Sequence, residues 1–364
     1  MKKVLFISFF REQGFYGGLQ CSQRNIQILK NLFGEENVVQ YYIYQKFDSL
    51  AQRYWRKIVA LLTGKEPYLS KKVVSDVMIL IKQQSISDVF FDISSLGMLT
   101  KKIKKQLPQT RVYTFFHNVE FIYNKGFVKE SLLRMQFQYI HYLHTSWRNE
   151  RLTCKYSDKV IVLTEMDAKA LEKLYHRKAD AIVPISFDDS FDESTINYSI
   201  PQKPYKALFV GSYFFGNTQG LKWFCESVLP KVDITLDIVG SNMYRFADDI
   251  PSSSKVHIFN SVPDLTPFFN NADFVVLPIT SGSGMKVKTA ESLMYGKYLI
   301  GTDTAFDGYD ISTSQGIRCN TSDEFISAIN NLNLQSKYCE ASRELFKRKY
   351  TTTSVVQTFK HLFQ

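Results

Sequence analysis

The sequence lacks the features that define several large protein classes. It has no apolar run of the ~18 residues that a membrane-spanning helix needs. Its 17 Gly and 10 Pro are too few for a collagen-like or low-complexity chain. Five cysteines lie far apart without a CxxC pair, which argues against a disulfide framework and a zinc site. We expect a soluble globular protein of a reducing cytosol, with each cysteine acting as a small buried apolar side chain.

The chain has 364 residues, enough for two domains, and its charge is unevenly divided. Residues 1–190 carry 29 Lys/Arg and 18 Asp/Glu, whereas residues 191–364 carry 16 and 17. The basic excess of the first half suggests an anionic partner. Clusters lie at Lys101–Lys105 and in QRYWRKIVALL, whose apolar stripe suits a lipid interface, although a solvated helix face is the simpler interpretation. Nucleic acid is not expected, because no zinc-finger, RNA-binding or basic-zipper pattern is present.

Apolar strand-like runs alternate with helical patterns through both halves of the chain. The runs are continuous rather than alternating, as a parallel sheet buried on both faces requires. MKKVLFISFFRE resembles a signal peptide superficially, but its short apolar run and Arg11 favour a first buried strand. The polar segment 187–206, with Pro201 and Pro204, is interpreted as a linker. We predict an α/β protein with Rossmann-like domains at 1–190 and 203–340, and C-terminal helices at 341–364 that pack on the first domain.

Residues 277–308 carry the clearest chemical signal. An apolar strand ends at Leu277, a Gly/Ser loop follows, and a helix begins near Met285. The free N–H groups and positive dipole end of a helix attract phosphate. Lys286 and Lys288 add positive charge where the dipole alone disfavours it, which argues for a bound anion. Glu291, one turn further, is placed to accept hydrogen bonds from a diol, so the segment suits a nucleoside diphosphate. An ordinary strand–loop–helix crossover remains the alternative.

The segment Asp273–Gly308 resembles the signature of retaining glycosyltransferases of family 4, which have the GT-B fold. The bacterial branch carries G-S-G-M-K-x-K-x-x-E-x-x-x-x-G, which stands here at residues 282–296. The stretches FVGSYFFGNTQGLKWFCESVLP, FFHNVEFIY, SWRNERLTCKYSDKVIVLTEMDAKAL and GFYGGLQCSQRNIQILKNL are similar to further family motifs, in the expected order. One departure is that many members have a Glu where this chain has Ser283. The resemblance implies two Rossmann-like doubly wound domains with a cleft between them.

The resemblance also implies roles for individual residues. Catalytic roles fall to His117, Lys288 and Glu291, with Lys288 neutralising the diphosphate and Glu291 binding ribose hydroxyls. Glu120, three residues after His117, is a candidate for the acceptor hydroxyl. Donor contacts are expected from Gly17, Gly18, Gly211, Ser212, Ser283, Gly284, Met285 and Lys286.

Several of these residues have simpler interpretations. His117 follows an apolar run and suits a core position, and Gly17–Gly18 suits a tight turn or a helix start. Asn217 is expected to cap a helix, and Glu150 and Asp167 to be structural. Arg24 and Lys222 are weak candidates.

The implied reaction moves a sugar from a nucleoside-diphosphate sugar, UDP-linked by preference, to a glycan, lipid-linked or protein-linked acceptor with retention. No HxxxH or DxD pattern is present, so neither a metal nor a cofactor is expected. An anionic membrane surface is a candidate partner, with the protein at its cytoplasmic face. Alternatives are a non-catalytic GT-B partner of an active glycosyltransferase, and a sugar-nucleotide epimerase or a phosphorylase on the same fold. A nicotinamide dehydrogenase is disfavoured, because residues 14–18 lack G-x-G-x-x-G.

Overall fold

The computed structural model describes residues 2–9, 17–43, 49–133, 135–282 and 284–364, without the side chain of Glu130. The chain divides into two compact units. The first comprises Met1–Pro184 and Val355–Gln364, and the second comprises Ile185–Ser354. These bounds differ from the predicted domains, because the second unit begins at residue 185 and includes residues up to 354.

The first unit contains a six-stranded parallel sheet. Its strands are β1 (Val4–Ser8), β2 (Val38–Tyr42), β3 (Asp88–Phe91), β4 (Arg111–Phe116), β5 (Lys159–Val162) and β6 (Ala181–Ile182), in the order β2-β1-β3-β4-β5-β6. Its helices are α1 (Gly17–Phe33), α2 (Leu50–Thr63), α3 (Lys71–Gln83), α4 (Gly97–Gln106), α5 (Glu120–Leu133), α6 (His141–Tyr156) and α7 (Glu165–Tyr175). β1, β3 and all but one residue of β4 are fully buried, as the continuous apolar runs predicted.

The second unit contains another six-stranded parallel sheet, in the order β12-β11-β10-β7-β8-β9. Its strands are β7 (Tyr205–Val210), β8 (Ile234–Gly240), β9 (Val256–Asn260), β10 (Phe274–Leu277), β11 (Leu299–Gly301) and β12 (Gly316–Arg318). Its helices are α8 (Phe215–Ser227), α9 (Thr266–Asn271), α10 (Val287–Met294), α11 (Ser322–Asn330) and α12 (Glu340–Lys349). The α/β architecture with parallel sheets confirms the predicted fold class.

The polar segment interpreted as a linker belongs to the second unit. Two of its four acidic residues have a charged partner there, since Arg343 of α12 donates to Asp189 at 2.7 Å and to Glu193 at 3.2 Å. The Arg343 side chain is almost wholly buried, so these carboxylates balance a charge inside the fold. The acidic composition of the segment therefore reflects an ion-pair network rather than a free connection.

The last helix, α13 (Thr352–Phe363), begins in the second unit, and its residues from Val355 onward belong to the first. Phe363 stacks on Tyr113 with ring centroids 4.2 Å apart, and Phe359 lies 6.2 Å from Phe90. The C-terminal residues thus complete the aromatic core beside β3 and β4. The preceding helix α12 stays in the second unit, which corrects the prediction that both helices pack on the first domain.

Among the described residues, no helix combines the length and the apolar character that crossing a membrane would require.

Candidate active site

The ends of two neighbouring strands, β7 and β10, bring the predicted nucleotide-binding residues of the second unit together. Gly211 and Ser212 follow β7, and the loop 278–286 follows β10 and leads into α10. In a parallel sheet, loops at the carboxyl ends of adjacent strands form the usual ligand site. Ser283 lies outside the described residues.

Lys288 lies at the centre of this group. Its amine donates to the side-chain oxygen of Asn217 and lies 4.6 Å from the centroid of the Phe209 ring. Burial and the charge of Lys286 together lower the pKa of Lys288 to about 7, against the opposing effect of Glu291. An amine held this way gains most from an anionic ligand, because the ligand restores the charge that burial disfavours.

Asn217 positions Lys288 rather than capping α8. The residue before the helix is Phe214, which provides no side-chain hydrogen bond, so the predicted capping role is wrong. The amide nitrogen of Asn217 instead donates to the carbonyl of Ser212 at 2.8 Å, while its oxygen accepts from Lys288. The side chain therefore ties the loop after β7 to the first turn of α10.

The backbone at Gly211 approaches two side chains of the site closely. A Cβ atom at this position would lie 3.0 Å from the Lys288 amine and 2.9 Å from the Asn217 amide nitrogen. Gly240 and Gly220 are restricted more strictly, because a Cβ atom would lie 2.0 Å from the carbonyl oxygen of Gly211 at the first and 1.7 Å from that of Pro278 at the second. These glycines bring the backbone of the loop next to the amine, as a phosphate-binding loop needs.

Glu291 lies on the same helix, three residues after Lys288. Burial raises the pKa of its carboxyl group to about 7, and Lys288 opposes the shift. Within the part of the chain that the structure describes, no hydrogen bond reaches this carboxylate. It is therefore available to accept hydrogen bonds from ligand hydroxyls.

The loop before α10 turns through two glycines in the left-handed region, Gly282 (φ 106°) and Gly284 (φ 69°). Met285 is buried, and its sulfur accepts from the backbone N–H of Ile185 at 3.2 Å. The Lys286 amine donates to the carbonyl of Gly284 at 2.5 Å, and its own carbonyl accepts from Tyr309 at 2.7 Å. The Lys286 side chain is thus engaged with the loop itself.

The first unit places a second group of polar side chains at the ends of β1, β3 and β4. His117 follows β4, and its Nε2 atom lies 3.3 Å from a carboxylate oxygen of Asp92, which follows β3. Asp92 also accepts from Ser8 at 3.0 Å and from Asn25 of α1 at 2.7 Å. The carboxylate is fully buried, so these donors and the imidazole compensate its charge.

Cys21 extends this group and is more than a small apolar residue. Its sulfur accepts a hydrogen bond from Arg24 at 3.1 Å. Burial raises the pKa of the thiol, but Arg24 and His117 outweigh it, so the pKa is lowered overall. Burial also disfavours the charged form of His117, yet Asp92 and Cys21 raise its pKa to about 10. The imidazole is therefore doubly protonated at neutral pH, and its hydrogen bonds can only be donated.

Glu120, the predicted acceptor residue, begins α5. Burial raises the pKa of its carboxyl group, while Asn118 and the charge of His117 oppose the shift. Glu150 accepts from the backbone N–H groups of Glu120 and Phe121 at 2.7 and 3.1 Å, so it caps α5. Burial raises the pKa of Glu150 and of Glu66 to about 8, and Glu120 contributes to both shifts.

The remaining candidates have less defined surroundings. Gly17 and Gly18 form the first turn of α1, directly after residues that the structure does not describe. Among the described residues, no group of three or more His, Cys, Asp and Glu side chains is placed to hold a metal ion.

Sequence reasoning missed Asp92 and Cys21. An acidic residue directly after an apolar strand, and a Cys–Arg pair three residues apart on a helix, were the available signals.

Residues 204–334 match the family model described as glycosyl transferases group 1. An uncharacterised 44.6 kDa protein of the cps region of Klebsiella pneumoniae is 20% identical over 210 residues, which cover 53% of this chain and 51% of that protein. The chain thus spans about half the length of this curated relative.

Solved structures with the same fold cover nearly the whole chain. HepE of Anabaena, solved with UDP, is 11% identical with a TM-score of 0.69, covering 100% of this chain and 99% of its own. The lipopolysaccharide outer core galactosyltransferase WaaB is 13% identical with a TM-score of 0.67, covering 99% of both chains. The fold is therefore that of GT-B glycosyltransferases, and together with the group 1 domain at 204–334 it supports a transferase.

Proposed function

We propose that this protein transfers a sugar from a nucleoside-diphosphate sugar to a hydroxyl group of a glycan, lipid-linked or protein-linked acceptor. The arrangement of Gly211, Lys288 and Glu291 at the ends of β7 and β10 is the observation that carries the proposal. It offers a close backbone approach at Gly211, together with a buried amine and a carboxylate three residues apart on α10. A diphosphate beside Lys288 and ribose hydroxyls at Glu291 would use all three.

The donor is proposed to be UDP-linked. Support comes from HepE, whose structure contains UDP in a chain of the same fold. The cps region that encodes the Klebsiella relative supports a role in surface polysaccharide or glycoconjugate synthesis. We also propose a cytoplasmic protein that attaches to the inner face of the membrane, with the net positive charge of residues 1–190 as support.

The chemical step is proposed to retain the configuration of the anomeric carbon. The bond between that carbon and the diphosphate oxygen breaks, and the electron pair stays on the leaving diphosphate. The acceptor oxygen bonds to the same face of the sugar, and its proton passes to a diphosphate oxygen. Lys288 and the amides of the loop before α10 stabilise the negative charge, a contribution worth about 3–4 kcal/mol per well-placed donor.

His117 would assist as a donor rather than as a base, since its pKa of about 10 keeps it protonated at neutral pH. No metal or cofactor is required in this scheme, because lysine and backbone amides balance the diphosphate charge. Glu120 remains the proposed contact for the acceptor hydroxyl.

A thermal-shift panel with UDP, GDP, ADP, CMP and dTDP tests the nucleotide site. A ligand at about 100 times its dissociation constant stabilises the folded state by about 2.7 kcal/mol. We expect one nucleotide, UDP, to raise the melting temperature, and Glu291→Ala to abolish the effect. The control is Glu226→Gln, which changes an exposed carboxylate on α8 of the same unit. A panel without any shift would contradict the proposal and favour a non-catalytic partner protein.

A further inference from the structure

Exposed apolar side chains are concentrated in one part of the first unit. Among the described residues, 21 large apolar side chains are exposed, and 13 of these belong to α2 and to the segment from α5 to residue 137. A monomeric protein rarely exposes so large an apolar patch unless a partner covers it. We call the following 13 side chains the apolar face: Leu50, Tyr54, Trp55, Ile58, Leu61, Leu62, Ile122, Tyr123, Phe127, Leu132, Leu133, Met135 and Phe137.

Helix α2 presents its apolar side outward. At about 100° per residue, its six members of the apolar face fall within an arc of about 140°. Its one fully buried residue, Ala60, lies on the opposite side of the helix. Trp55 and Leu62 are 66% and 74% exposed. This orientation reverses that of an ordinary surface helix, whose apolar stripe faces the core.

Side chains of α6 hold α2 in this orientation. His144 contacts the carbonyl of Leu61 through Nδ1 at 2.6 Å, and Asn149 donates to the carbonyl of Gly64 at 3.0 Å. Arg148 donates to the carbonyl of Thr63. The last carbonyls of a helix have no partners within the helix, so these contacts satisfy them and fix the helix end. The exposed arc is therefore a defined surface of the fold.

The two parts of the apolar face are continuous. Lys57 of α2 donates to Gln138 at 3.1 Å, and its amine lies 5.4 Å from the centroid of the Tyr139 ring. Tyr139 in turn packs edge-on against Phe127 of α5, with ring centroids 5.1 Å apart. A single surface thus extends from α2 across residues 137–139 to α5.

Charge selects the partner. Helix α2 carries three basic residues and no acidic residue. Arg53 and Lys57 flank the exposed arc, whereas Arg56 lies on the opposite side and donates to the carbonyl of Pro67 at 3.5 Å. Exposed Lys125 and Lys129 add positive charge on α5. A second copy of this chain would bring the same basic residues face to face, which disfavours a symmetric dimer. Anionic phospholipid instead offers acyl chains to the apolar side chains and phosphate to the basic ones.

We propose that the apolar face docks on an anionic phospholipid bilayer, with α2 lying in the plane of the interface. This contact does not depend on the proposed transfer reaction. It also replaces Lys101–Lys105 as the expected membrane contact. Lys104 of that cluster is already bonded to Asp158 at 2.9 Å and to the carbonyls of Pro108 and Thr110.

Fluorescence of Trp55 tests the insertion directly. The chain has three tryptophans, so the variant with Trp147→Phe and Trp223→Phe reports on Trp55 alone. Vesicles of phosphatidylcholine with phosphatidylglycerol should shift its emission to the blue, as expected for an indole that leaves water. Vesicles of phosphatidylcholine alone should shift it much less, because the basic residues then lack a counter-charge. An emission spectrum unaffected by the anionic vesicles would overturn the proposal.

Co-sedimentation with the same vesicles compares two matched double variants. Trp55→Ser with Leu62→Ser should lower partitioning at least about tenfold, because two apolar side chains no longer leave water. Ile79→Ser with Met166→Ser should have no effect, since these residues are exposed in the same unit but outside the apolar face. Equal losses in both variants would overturn the proposal.

Two further measurements separate this proposal from the alternatives. Sedimentation velocity of the full chain would overturn it if the wild type is a dimer that Trp55→Ser with Leu62→Ser converts to monomers. A UDP thermal shift that persists in this variant shows that the protein is folded and that its nucleotide site is intact. Loss of vesicle binding and loss of nucleotide binding are therefore distinguishable results.

Discussion

Replacing Lys288 with arginine tests whether UDP binding requires protonation of a buried amine. With a pKa of about 7, about one in ten of these amines is protonated at pH 8, and about one in a hundred at pH 9. If the ligand binds only the charged form, each pH unit above 7 costs about 1.4 kcal/mol of binding free energy. The affinity for UDP should therefore fall about tenfold between pH 8 and pH 9.

The affinity for UDP falls with rising pH because the pKa of Lys288 is lowered. Burial favours the neutral amine in the free protein, so binding of a dianionic phosphate takes up a proton, and alkaline pH opposes it. The diphosphate itself does not interfere, because its terminal phosphate ionises near pH 6 and is fully charged in this range. The Glu291 carboxyl, with a pKa of about 7, is ionised throughout.

Isothermal titration calorimetry measures both quantities. The dissociation constant gives the slope with pH, and titrations in two buffers of different ionisation enthalpy give the proton uptake, which should approach one per UDP. Lys288→Arg should bind more weakly but lose the slope, since arginine remains charged. Lys222→Arg, which changes an exposed lysine on α8, should keep it. A constant affinity from pH 8 to pH 9, or an unchanged slope in Lys288→Arg, would refute the reasoning.

Three other predictions follow from the surroundings of single residues. Gly211→Ala should weaken UDP binding at least about tenfold in calorimetry, because the added Cβ would contact the Lys288 amine and the Asn217 amide. Gly126→Ala is the control, because a Cβ there has open space around it. This variant should bind UDP normally and gain about 0.5–1 kcal/mol of folding stability from helix propensity. Asp92→Asn should lower the pKa of His117 from about 10, as followed by NMR. The stability that this ion pair contributes is full below about pH 6.5 and is lost as the pH rises through 10, so urea unfolding should show a larger loss near pH 6 than near pH 10. An unchanged imidazole titration would contradict this. Glu66 has a pKa raised to about 8, so the stability gained from its proton is full below about pH 4.5 and disappears as the pH rises through 8. Glu66→Gln should make the free energy of unfolding less dependent on pH between about 4.5 and 8. If the variant and the wild type show the same dependence on pH, Glu66 is not a buried protonated acid.

Much of the fold could be predicted because apolar runs and loop residues agree along the chain. The five apolar runs of the second half that predict strands begin at residues 206, 235, 255, 273 and 298, each within one residue of the start of β7–β11. Strand β12 was missed because three residues, Gly316–Arg318, carry too little pattern. Helix α5 was missed because its apolar residues lie on all sides, which matches its exposed surface rather than a core-facing stripe.

The site was predicted unevenly for a physical reason. Lys288 and Glu291 lie three residues apart on one helix, so their proximity follows from local geometry. Asn217 reaches Lys288, and Asp92 reaches His117, only because distant strands are neighbours in a sheet. Spacing along the chain carries no signal for such contacts. For α2 the sequence left a lipid-facing apolar stripe and an ordinary solvated helix face both open, and the carbonyl contacts with α6 that fix its outward orientation carry no signal along the chain.

The path of α13 has a consequence for how the protein is made. Phe359 and Phe363, within the last six residues, pack against Phe90 and Tyr113 in the core of the first unit. Domains usually fold in order during synthesis, with the N-terminal one first. Here the aromatic core beside β3 and β4 is completed only once α13, which follows the whole second unit along the chain, has been synthesised. The β3–β4 surface therefore stays exposed while the entire second unit is synthesised, which makes it a natural binding site for chaperones on the nascent chain.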